Sequence, residues 1–161
     1  MNIEDIVMNN NTDLLHDYLN THVNNKTELN YALSVATRLG DAQIIKQILD
    51  SGAPLNVYSS KNMPPLYCAI ERGDVNLVKL LCEHGADVNY QAAETISPLH
   101  WAVDTEADGA YQMGTVPSVE IIRLLLEYGA NRNATNRDGT PYNMALRYEF
   151  TEACELLKPQ P

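Results

Sequence analysis

Long hydrophobic runs are missing from this 161-residue chain, cysteine is sparse, and basic residues are few. No stretch approaches the roughly 18 to 20 apolar residues of a membrane span. The opening MNIEDIVMNNN lacks the basic and apolar regions of a secretion signal. Both absences point to a cytoplasmic protein with no membrane partner. The three cysteines, Cys68, Cys82 and Cys154, form an odd set without metal-type spacing. That pattern argues against a disulfide framework and a thiolate metal site, and for reduced structural thiols. Lys and Arg together number 11 against 21 Asp and Glu, a net charge of -10. The imbalance runs through the whole chain, with 3 basic and 7 acidic residues in 1–60 and 8 and 14 in the rest. Repulsion from phosphate opposes nucleic-acid binding, whose affinity comes largely from Lys and Arg, and favours a protein partner with a basic surface.

What is present is a folded composition, 45% hydrophobic, and a length that suits a single domain over residues 1–161. Its organising stretch is residues 63–90, MPPLYCAIERGDVNLVKLLCEHGADVNY. Leu66/Ala69/Ile70 and Leu77/Val78/Leu80/Leu81 each carry helical spacing, and Gly73-Asp74 breaks the chain between them. Asp74 has the chemistry of an N-cap for the second helix, and Gly85 that of a left-handed exit. The stretch therefore predicts a helix, a tight turn and a helix.

Shifted back by 33 residues, the same pattern falls on residues 30–57, with Leu33, Ala36, Gly40-Asp41, Ile44, Ile45, Ile48, Leu49 and Asn56 in register. Shifted forward, it meets ISPLHWA and then, after 11 extra residues, VEIIRLLLEYGANRN. A further copy opens with GTPYNMA at Gly139, continues in a helix over residues 151–157 and stops at KPQP. The first residues fit a shorter version, with Ile3 and Ile6 on an inner helix and Leu14, Leu15, Tyr18 and Leu19 on an outer one. No single copy can bury its apolar stripe, so the expected architecture is an all-α repeat solenoid of about five stacked helix-turn-helix units. Its parts are a cap over 1–24, repeats at about 25–57, 58–90 and 91–134 with an insert at 104–117, and a capping repeat over 135–161. Polar residues suit the outer faces of both ends: Glu4, Asp5, Asn9–Asn11 and Asp17, then Glu152, Glu155 and Lys158.

The 33-residue period, with SPLHWA, PPLYCA and TPYNMA at the head of successive copies, resembles the ankyrin repeat and its T-P-L-H-x-A signature. LVKLLCEHGADVN and IIRLLLEYGANRN are similar to its second-helix signature. The resemblance implies a stack with short β-turn loops, in which inner helices and loop tips form a concave face that binds other proteins. It places that face on Tyr58, Ser60, Lys61 and Met63 in one loop, Gln91, Glu94 and Ile96 in the next, and Arg137 and Asp138 in the last. From the inner helices it adds Arg38, Glu71, Arg72, Asp104, Thr105, Arg147 and Tyr148. It also assigns His100 a structural place, tying the turn to neighbouring backbone. Trp101 shares a column with Val35, Cys68 and Met144, which suits a buried contact between repeats.

Catalytic patterns are wanting: the sequence shows no nucleophile with its base, no phosphate-cradling glycines and no metal-spaced cluster. His100 and Asp104, at i and i+4, share one helix face as a base and its orienter would. His84, beside the Gly85 turn, suits a capping or solvated position, and His16 and His22 are isolated. The expectation is a non-enzymatic, monomeric binding protein without cofactor or metal. The individual feature is the insert DTEADGAYQMGTVP, which carries three acids, Tyr111 and Met113 as apolar anchors, and no glycine until Gly109. It reads as a prolonged inner helix, then a loop marked by Gly114 and Pro117, with Ser118 capping the next helix. Small bacterial ankyrin proteins with such an insert are similar, and the likeness implies an inhibitor or immunity protein for a basic effector such as a nuclease toxin. The alternatives are a structural or oligomerising scaffold and a metal-dependent enzyme.

Overall fold

The computed structural model describes residues 2–22, 25–57, 63–91 and 96–159. Among them run ten helices in five consecutive pairs: α1 (Ile3–Met8) with α2 (Thr12–His22), α3 (Lys26–Leu39) with α4 (Ala42–Asp50), and α5 (Pro65–Glu71) with α6 (Val75–Glu83). The last two are α7 (Pro98–Met113) with α8 (Glu120–Glu127), and α9 (Pro141–Arg147) with α10 (Thr151–Leu157). The odd-numbered helices touch in series, α1 to α3 to α5 to α7 to α9, while even-numbered helices pack behind them. This is the expected all-α solenoid.

Each pair is built the same way because its punctuation repeats. Asp41 accepts from the amides of Gln43 and Ile44, both at 3.0 Å, and Asp74 accepts from that of Leu77, also at 3.0 Å. These satisfy donors that the first helical turn leaves unpaired. Pro65, Pro98 and Pro141 stand at the start of their helices, where a missing N–H is harmless. Gly40 ends α3 at φ 81°, which favours glycine, and a Cβ there would sit 2.4 Å from the Arg72 guanidinium and displace it.

The core is one continuous column of aliphatic side chains. Ile44, Ile45 and Ile48 of α4 and Ile121, Ile122 and Leu125 of α8 are fully buried, as are Leu33, Ala36, Ala69 and Ala102 of the odd row. Small alanines on the odd helices let the rows approach closely, and the larger side chains of the even helices fill the space between pairs. Trp101 differs from its column: Val35, Cys68 and Met144 are buried, whereas the larger indole is only partly so. It lies against Tyr67, ring centroids 6.3 Å apart.

Polar ties fix the spacing of the stack. Asn56 accepts from the Asp87 amide at 2.8 Å, and Asn89 accepts from the Asn131 amide at 2.7 Å. The first link spans 31 residues and the second 42. The 11 extra residues of the fourth pair are therefore accommodated without disturbing the ladder. Ser34 donates to the Met63 carbonyl at 3.0 Å, and the Tyr67 hydroxyl shares its single hydrogen between the carbonyls of Tyr90 and Ile96.

At the N-terminal end Leu15 and Leu19 fill the packed face of α2, and Leu14 on the same helix is 39% exposed. Glu4 is only partly exposed, and its carboxylate pushes the Tyr31 phenol of the next pair up.

Candidate functional site

Three features of the odd row and its loops stand out: the loop tips, the charged C-terminal ends of the odd helices, and the prolonged α7. Tyr58, Ser60, Lys61 and Glu94 lie outside the described residues. The remaining loop is a tight reversal, with Asn136 and Gly139 exchanging backbone hydrogen bonds and Arg137 and Asp138 at the exposed tip. Arg147 braces it from α9, donating to the Asp138 carbonyl at 3.2 Å with its carboxylate at 3.7 Å. Met63 and Ile96 are partly buried at the loop-to-helix junctions, and Gln91 reaches the Thr135 carbonyl.

At the helix ends, residues expected from sequence to meet a partner also join one repeat to the next. Arg72 donates to the Arg38 carbonyl at 2.7 Å, linking α5 to α3. Tyr148 donates to the Asp104 carboxylate at 2.5 Å, linking α9 to α7. That bond, together with burial and the Asp104 charge, pushes the phenol up to about 12. Thr105 turns its hydroxyl back to the Trp101 carbonyl at 2.8 Å. Glu71 is exposed. These surface positions carry fixed charge, held in place by bonds between repeats that the sequence pattern did not disclose.

His100 is fully buried and anchors the fourth pair. Its Nε2 faces the Gly139 carbonyl at 3.0 Å, which can only accept, so Nε2 carries the hydrogen. Nδ1 is then the acceptor for the Ser97 hydroxyl at 2.8 Å, while Ser97 Oγ caps the His100 amide at 3.4 Å. Burial lowers the imidazole's affinity for a proton, against the opposing pull of the Gly139 carbonyl and Asp138. Asp104 is bonded to Tyr148, so the base-and-orienter pairing suggested by spacing does not form. His84 caps its helix by donating Nδ1–H to the Leu80 carbonyl at 2.8 Å. His16 is exposed, and the His22 side chain lies outside the described residues. All three cysteines are free thiols; burial pushes Cys68 and Cys82 up to about 11, which keeps them protonated and unreactive at neutral pH. Among the described residues no group of three His, Cys, Asp or Glu is placed to hold a metal ion.

The insert forms a helix and a loop, as its composition predicts. α7 has 16 residues where α5 and α9 have 7 each. It runs eight residues beyond Thr105, the counterpart of Arg72, or about 12 Å at 1.5 Å per residue. Gly114 closes it at φ 64°, and Ser118 Oγ accepts from the Glu120 amide at the start of α8. Tyr111, Val116 and Met113, at 88%, 87% and 75% exposure, are more open to solvent than any other large apolar side chain among the described residues. A stack that buries its aliphatic core so fully leaves its most exposed apolar surface on this one projection.

A helical solenoid of this kind, with the odd-numbered helices in series and charged residues at their ends, belongs to the repeat proteins that use such a row as a docking platform. The family model "Ankyrin repeats (3 copies)" matches residues 4–92 and 33–113, and the model "Ankyrin repeat" matches residues 96–137. The chain belongs to the ankyrin repeat family. Members are generic protein–protein interaction modules and are typically non-enzymatic. No curated protein matches the chain. No helix among the described residues is long and apolar enough to cross a membrane.

Proposed function

We propose that this chain is a monomeric cytoplasmic binding protein that docks a basic protein partner along the odd-helix and loop strip, and that it inhibits that partner as an immunity-type protein does. The strip comprises Tyr58, Lys61, Met63, Glu71, Arg72, Gln91, Glu94, Ile96, Asp104, Thr105, Arg137, Arg147 and Tyr148, extended by Tyr111 and Met113. The observation that carries the reading is the prolonged α7: a projection with Asp104, Glu106 and Asp108, no Lys or Arg, and exposed apolar residues at its end, on a chain of net charge -10. Complementary charge would steer a basic partner on encounter and select against acidic ones. Inhibition follows where the strip covers the partner's own working surface.

The test is affinity purification from the native cell with the full chain as bait and with residues 104–117 deleted, followed by association kinetics of the captured protein. Loss of capture on deletion and an on-rate that falls as salt rises support the proposal. An on-rate indifferent to salt refutes the charge-steered partner, and a captured protein whose own activity is unchanged when bound refutes inhibition.

A further inference from the structure

The prolonged α7 and the loop that follows it enclose a groove of about 330 Å³ against the α5–α6 turn. It is lined by Ile70 of α5, Gly73 of the turn, Glu106 and Ala110 of α7, and Val116 and Pro117 of the loop. The lining is mainly apolar, with one carboxylate of particular interest. Glu106 is partly buried, shares the groove lining with Ser118, and has no ion pair among the described residues. Burial raises its proton affinity, and the neighbouring Glu120 raises it further. The fold thus keeps a poorly solvated carboxylate inside a groove, a placement that disfavours its charge until a cation arrives.

Other features favour the same ligand. The C-terminal end of α7 reaches this groove at Met113, so the negative end of the helix dipole adds its potential there. Arg72, the cationic residue of the lining, commits Nη1 to the Arg38 carbonyl. At the lip, Met113 and Val116 present apolar surface to solvent. A cationic side chain on a long aliphatic stem satisfies all of this at once, the stem lying on Ile70 and Ala110 and the head at the carboxylate.

We infer that this groove receives a lysine or arginine side chain from an apolar-flanked segment of a partner protein, with Glu106 pairing with the cationic head and Tyr111, Met113 and Val116 packing on the flanking residues. The inference rests on the protein-binding reading above and gives that reading an anchor point. The insertion, on this view, is a socket added to a standard platform.

The test uses the full chain, labelled with nitrogen-15, and a blocked pentapeptide, Ac-Gly-Leu-Arg-Leu-Gly-NH2, beside its uncharged citrulline analogue. Saturable shifts at the amides of Gly73, Gly109, Ala110 and Ser118, with the citrulline peptide about tenfold weaker, support the socket. Equal affinity for the two peptides, or shifts confined to other surfaces, overturn it. Two variants separate the pairing from the space. Glu106→Gln keeps the shape and removes the charge. Gly109→Leu fills the groove from a helical position where a Cβ would meet nothing within 4 Å. Both are expected to melt no lower than the parent chain and to lose the arginine peptide; retained binding in either, with folding intact, overturns the socket. Against the captured partner, loss with both variants supports the socket and the platform together. Unchanged affinity in both, with loss in Met63→Ala/Arg137→Ala, overturns the socket and leaves the platform standing. Failure of every form to capture a protein sinks the platform, and the peptide titration still decides the socket.

Discussion

Replacing His100 with alanine removes a buried side chain that ties the start of α7 to the loop before α9. Two consequences add. The Ser97 hydroxyl, itself 3% exposed, loses its acceptor, and a buried donor left unpaired costs about 1–3 kcal/mol. The Gly139 carbonyl fares better, because the Asn136 amide still donates to it at 3.0 Å. The space of a fully buried imidazole is also vacated, and large-to-small changes of that kind cost about 2–5 kcal/mol. With partial relaxation, the expected loss is about 3–5 kcal/mol, a large share of the 5–15 kcal/mol typical of a domain. Urea unfolding at pH 7.5, followed by far-ultraviolet circular dichroism and by the fluorescence of Trp101, the only tryptophan, measures it. A second arm varies pH. Because burial depresses the folded imidazole below its usual 6.5, the unfolded chain takes up a proton first as pH falls. The stability this neutral histidine provides is fully present above pH 6.5 and is lost as pH falls toward the folded value. The alanine variant has no such group, so its deficit relative to the parent shrinks between pH 7.5 and 5.5. A cost under about 0.5 kcal/mol, the range of ordinary surface substitutions, would show that the tie is incidental. A deficit constant across that pH range would show that the imidazole is not held neutral by burial.

Three further outcomes are expected. Ala69→Asp places a charge without a partner at a fully buried position of α5, costing about 3–5 kcal/mol, and calorimetry should show the central pairs melting apart from the rest; an undiminished single transition would contradict the placement of α5. Asp41→Ala costs about 1 kcal/mol and more than Asp74→Ala, because Asp41 holds two helix amides and Asp74 one; urea midpoints in the reverse order would contradict that accounting. Glu106→Gln raises the melting temperature at pH 7, since burial makes the ionised carboxylate unfavourable in the fold, and the gain fades as pH drops through 4.5, below which both states bind the proton; a variant less stable at pH 7 would contradict it.

Much of the architecture was legible in the residues because repetition writes it several times over. Asp41 and Asp74, 33 positions apart, cap equivalent helices, and Ile44, Ile45, Ile48 and Leu49 repeat the apolar rhythm of Leu77, Val78 and Leu81. The helical nature of the insert was legible from its lack of glycine before Gly109. Less visible was the part played by Asn56 and Asn89, whose side chains hold the next turn; their recurrence at the repeat period was the available signal. Not visible at all were the Arg72–Arg38 and Tyr148–Asp104 links, because each depends on how two surfaces meet across a repeat boundary.

The sequence alone determined the period, the helix pairs, the caps and the family, since these rest on local propensity and on nearest-neighbour burial repeated along the chain. It also determined that the insert departs from the rule. Tertiary structure alone decided what that departure makes. Residues 70–73 and 106–118 become the two sides of one groove only when α7 packs on α5, and Glu106 becomes a carboxylate short of solvent only when the loop at Val116–Ser118 folds beside it. A surface that occurs once has no periodicity to reveal it; its chemistry is set by side chains distant in sequence that the stack brings within a few ångströms.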